Sequence, residues 1–191
     1  MGASGWSYFV PYEADISAAL QRLRQDVFIR GDYLTTDDVL DSMDWEAAAK
    51  KNAEWAKNPE ISPEVRESYL KAASDYRKLH WGRVLEPKAG PAPRPQTIEA
   101  LLEQEAENGT HSILDIMCIS TRPKFGAISP FPEDKLLYYF NSEKPTHAVI
   151  EDRYEWGSLE KFTSKRWQGI YIIAYRDEKP NEIFFAGCSG D

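Results

Sequence analysis

The sequence predicts an α+β fold: a small, mainly antiparallel sheet with a C-terminal hairpin, packed on helices and carrying a helical insertion. Three observations predict it. Two dense runs of β-branched and aromatic residues, 169–175 and 183–187, flank a turn-forming stretch at 176–182, the pattern of a hairpin. Neither run alternates between apolar and polar residues, so both faces of the sheet are expected to be covered. Upstream, apolar residues recur at helical spacing in several separate stretches, each with one face to bury.

The chain opens with an expected strand at 6–12, where Pro11 removes a backbone donor and sends the strand to an edge or ends it. Asp15 caps a helix whose stripe is Ile16, Leu20, Leu23 and Val27, and Gly31 stops it. Residues 32–85 form a helical insertion. Asp44 leads good helix formers there, and Ser62-Pro63-Glu64 is a start signal with proline at the first helical position. The insertion is expected to pack beside the sheet, with a lid over a site as the other role. Residues 86–96 are a proline-rich linker. Thr97 starts a helix over 98–107, and residues 110–118 read as a third strand. Helices are expected from Pro132 to Phe140 and after Thr146, and residues 157–165 lead back to the hairpin. The chain is thus expected to form one α+β domain over residues 1–191.

At 191 residues, with 42% apolar and 28% charged, the chain has the composition of a soluble globular domain with a real core. Its net charge of −8 argues against a nucleic-acid backbone as partner and fits a solvated surface or a basic protein partner equally well. No apolar run approaches the length of a membrane span, and no basic-then-apolar leader opens the chain, so a cytoplasmic protein with no membrane partner is expected. Cys118 and Cys188 are too few for a disulfide framework, and two cysteines with three unpaired histidines do not suggest a metal site. There is no glycine-rich phosphate loop, and no cofactor is expected.

Three blocks, GWSYFVPY at 5–12, GTHSILD at 109–115 and EIFFAGCSGD at 182–191, resemble a group of uncharacterised bacterial proteins. They cover under a fifth of the chain. The resemblance implies a bacterial source and carries no activity.

The second block holds the parts of an acid–base site. On a strand, His111 and Asp115 share one face while Ser112 points to the other, so His111 would need a nucleophile from the chain end, Cys188 or Ser189, with Asp191 nearby. That defines a small enzyme, a transferase or hydrolase. Against it stands a purely structural role, in which His111 satisfies a hydrogen bond at a turn and both thiols are inert. The acidic charge and 13% aromatic content support a different class, an interaction domain of the immunity- or antitoxin-like inhibitor kind. Its binding candidates are Trp6, Tyr8, Tyr12, Glu13 and Glu182. With Asp115 and Asp191, the acidic members of that set are also candidates to converge at the sheet ends.

Overall fold

The computed structural model describes residues 4–85 and 93–190, which divide into two compact units, one of residues 37–93 and one of the remainder. The larger unit is built on a five-stranded mixed sheet in the order β1-β5-β4-β3-β2. Strand β1 is Gly5–Pro11, β2 Cys118–Ile119, β3 Ala127–Pro130, β4 Gln168–Arg176 and β5 Lys179–Cys188. The long pairings, β1 with β5 and β5 with β4, are antiparallel, whereas the short β2–β3 and β3–β4 pairings are parallel. Pro11 ends β1, which lies at the sheet edge. The β4–β5 hairpin turns through Asp177 and Glu178, both at positive φ, so its strands run through most of the stretch that reads as a connection in the sequence.

Both faces of the sheet are covered. Helices α1 (Ile16–Arg30) and α5 (Ile98–Gln104) supply Leu20, Leu23, Val27 and Leu101 to one face, against Tyr8, Ile128, Ile183 and Phe185. On the other face α6 (Glu133–Phe140), α7 (His147–Glu155) and α8 (Glu160–Thr163) lie over Ile170, Ile172 and Phe184. Alternation along β5 explains its uninterrupted apolar run: Ile183 and Phe185 serve one layer, Phe184 and Ala186 the other. The caps follow from the sequence. The Asp15 carboxylate accepts from Ala18 N at 3.0 Å, Gly31 closes α1 in the left-handed conformation, and Thr97 caps α5.

The smaller unit is a pair of antiparallel helices, α3 (Trp45–Trp55) and α4 (Pro63–Leu85), preceded by α2 (Thr36–Ser42). Asp44 caps α3, accepting from Ala47 N at 2.8 Å. Ala49, Ala56 and Ala73 are buried between α3 and α4, with Trp45 on Tyr76 and Trp55 on Tyr69 at either end of the contact. This matches the helical character expected for 32–85, with the unit boundary at 37. Of the expected linker, residues 86–92 lie outside the described residues.

The strand expected at 110–118 is corrected. Residues Ile113–Asp115 form a 3-10 turn, and extended pairing begins at Cys118. Gly109 and His111 both take positive φ, which breaks a strand, and the Ser112 hydroxyl accepts from Leu114 N at 3.2 Å to cap the turn. The placement of His111 and Asp115 along one strand face falls with it.

Trp6 shows how closely the sheet is fitted. Gly187 pairs with both Trp6 and Gly169, so the two glycines stand side by side beneath the indole. A Cβ on Gly187 would sit 2.5 Å from Trp6 Cζ2 and 2.5 Å from the Gln168 carbonyl oxygen; one on Gly169 would sit 2.8 Å from Trp6 Cη2. The indole N–H is buried without a partner among the described residues, a cost of about 1–3 kcal/mol that the ring's packing offsets. Gly187→Ala is therefore expected to lower stability by about 1–3 kcal/mol in urea denaturation. An unchanged midpoint would remove the case for this glycine slot.

Candidate functional site

The block at 109–115 folds into a tight turn at the end of the sheet, centred on the carboxylate of Asp115, which is 2% exposed. Oδ1 accepts from Thr110 N and Thr110 Oγ1, both at 2.8 Å; Oδ2 accepts from Ser189 Oγ at 2.5 Å and Gly190 N at 3.3 Å. The hydroxyl protons can be ordered from these contacts. Thr110 gives its proton to Asp115, so Ser112 Oγ, 2.9 Å away, donates to Thr110. Ser189 also gives its proton to Asp115 while accepting from His111 N at 3.0 Å. Gly109 is required twice over, by its φ of 73° and because a Cβ would meet Asp115 Oδ2 at 2.7 Å.

Arg24 brings a cation to this turn. It is 8% exposed, donates from Nη2 to the Leu114 carbonyl at 3.1 Å and from Nη1 to Gln21 at 2.9 Å. Burial lowers the Arg24 pKa from its ordinary value, and the nearby carboxylates of Glu99 and Asp115 oppose that shift. A buried carboxylate with four donors and a guanidinium nearby acts as a structural anchor for the turn.

His111, Asp115 and Ser189 do come together, but not as a nucleophile and its base. The contact of His111 with Ser189 is through the backbone N–H, while the imidazole Nδ1 lies 2.8 Å from Ser4 Oγ. Ser189 N donates to the Ser4 carbonyl at 2.9 Å, so this corner clasps the start of β1 to the end of β5. Cys188 is 3% exposed on β5, and Asp191 lies outside the described residues. Among the described residues, no three metal-ligating side chains gather.

The other candidates are dispersed. Trp6 is 5% exposed, and Tyr8 and Tyr12 pack partly buried against the same core layer, where burial, with Asp32, raises the Tyr8 pKa. Glu13 pairs with Arg22 on the surface. Glu182 accepts from Asn181 Nδ2 at 3.2 Å and faces His147 Nδ1 at 2.9 Å, with that imidazole stacked on Phe9. Glu182 pairs with Pro11 at one end of β5 and Ser189 follows its other end, so the carboxylates of Glu182 and Asp115 lie at opposite ends of the sheet.

Sequence reasoning missed an exposed corner at the end of α7. Ile150 and Tyr154 face the core, which turns Asp152, Glu155 and Trp156 outward. Trp156 is 80% exposed, and the chain reverses at Gly157 to bring in Glu160 at the start of α8. The signal was present in the run Glu151-Asp152-Arg153-Tyr154-Glu155-Trp156: acidic residues around a tryptophan that falls off the buried helical stripe.

Asp115→Ala would strand the donors of Thr110, Ser189 and Gly190, and is expected to cost about 3 kcal/mol or more in urea denaturation. Ser189→Ala is expected to cost about 1–2 kcal/mol. A neutral Asp115→Ala would show that the turn is not held by its carboxylate. No protein-family model, curated protein or solved structure matches the chain, so the functional reading rests on these residues alone.

Proposed function

We propose that the chain is a protein-interaction domain that holds a basic protein partner at the acidic, tryptophan-bearing end of α7. The observation that supports this reading is Trp156, 80% exposed and close in sequence to the exposed Asp152, Glu155 and Glu160, of which Asp152 pairs with Arg153 at 3.9 Å. Tryptophan is among the residues most enriched in binding hot spots, where a large aromatic side chain fills a partner's pocket. The surrounding carboxylates add long-range attraction for a cationic surface and agree in sign with the net charge of −8. Leu137 and Tyr138, 61% and 81% exposed on α6, extend the apolar character of this helix layer. An immunity- or antitoxin-like inhibitor, masking a basic active surface, is the role that fits such a face.

The enzyme reading has less support. Its base would be His111, whose ring is on Ser4, and its nucleophile Ser189, whose proton is committed to Asp115.

The test is retention of a lysate's basic-protein fraction on the immobilised chain, followed by titration of the retained protein in pure form. Trp156→Ala is expected to weaken that complex at least about tenfold. Reversing Asp152 and Glu155 to Lys is expected to slow association and flatten its salt dependence, and His111→Ala to leave it unchanged. A complex indifferent to both the Trp156 and the charge-reversal variants overturns the proposal.

A further inference from the structure

Beside the C-terminal ends of β2 and β3, and beneath α8, the larger unit holds a cavity of about 420 Å³, well inside the range of small-molecule sites. Ser129, at 2% exposure, lies at its floor. Ser129 is registered beside Ile170 in the parallel β3–β4 pairing, so both side chains leave the same face of the sheet, the one that α8 covers. Phe131, Phe162 and Ile170 make the apolar walls, and Lys161 and Lys165 stand at the mouth. Neither ammonium has a carboxylate partner among the described residues. Lys161 is instead held 5.0 Å above the Tyr139 ring and 5.1 Å above that of Phe162.

We propose that this cavity binds a small free carboxylic acid with an aromatic body. Two cations at the mouth match one carboxylate, the aromatic and aliphatic walls match a flat apolar body, and the floor hydroxyl of Ser129 meets a polar substituent at the far end. A phosphate is a poorer match. Glu133, in the first turn of α6, also lines the cavity, so a dianion would be repelled more strongly than a single carboxylate. The inference concerns a site separate from Trp156 and stands whether or not a protein binds there.

The probe is 4-hydroxyphenylacetate, titrated into the isotope-labelled full chain and followed by NMR. Shifts are expected at Ser129, Phe131, Phe162 and Ile170. Binding is expected to fall about tenfold or more for phenylacetamide, which keeps the ring and loses the charge. The Lys161→Met, Lys165→Met double variant changes exposed residues and keeps the fold; it is expected to weaken the acid and not the amide. Ser129→Ala is expected to erase the preference for 4-hydroxyphenylacetate over phenylacetate. The proposal is overturned by an absence of shifts at these residues at about 10 mM probe. Equal binding of acid and amide, or a double variant as tight as the wild type, also overturns it. So does tighter binding of a tripeptide ending in phenylalanine, which would assign the site to chain termini.

Discussion

The larger unit depends on a buried carboxylate finding all its donors at once. Asp115 sits where an unpaired charge would be strongly destabilising, and its four donors come from the turn before it and from the residues just beyond β5. Those contacts bind three parts of the chain together: the 109–115 turn, the end of β5 and, through Ser4, the approach to β1. They also set register. A slip of β5 by one residue would take Ser189 from Asp115 and exchange Phe184 with Phe185 between two filled core layers. The polar anchor and the apolar pattern therefore enforce the same alignment.

Helices cover both sheet faces among the described residues, so exposed chemistry is displaced to the helix layers. The two layers differ. The face under α1 and α5 is sealed by a long capped helix and by Arg24. The opposite face is covered by three short helices of eight, nine and four residues. Short helices end often, and each end exposes side chains or leaves a recess. Trp156 lies at one such end and the Ser129 cavity beside another, so both arise from the same broken coverage.

Much of the fold was legible because it is local. Asp15, Gly31, Asp44 and Thr97 mark helix ends through contacts with neighbours in sequence, and the β4–β5 hairpin is signalled by two apolar runs around a turn. The failure at 110–118 has a local cause as well: Ile113, Leu114 and Ile116 suit a strand, but the Ser112 cap and two positive-φ residues bend them into a turn that buries the same side chains. Strands β2 and β3, of two and four residues, are too short to show a period, and the parallel pairing of β3 with β4 joins Ala127 to Gln168, distant in sequence. The candidate site was half legible. Asp115 and Ser189 stood out by residue type, yet their contact spans 74 positions. The cavity at Ser129 gathers residues from Thr121 to Ile170 with no spacing that a linear reading could detect.

The pairing of β1 with β5 also sets an order of assembly. Gly5 is registered against Cys188, so the first strand of the sheet waits for the last before it can be satisfied. During synthesis β1 must remain unpaired while α1 and the 37–93 helices emerge, and those can form from local contacts. The entropic cost of closing so long a loop grows only slowly with length, so the intervening unit adds little to it. What it adds is time, during which an aromatic edge strand is exposed to other chains. Pro11 at its end limits how far a stray strand could extend along it.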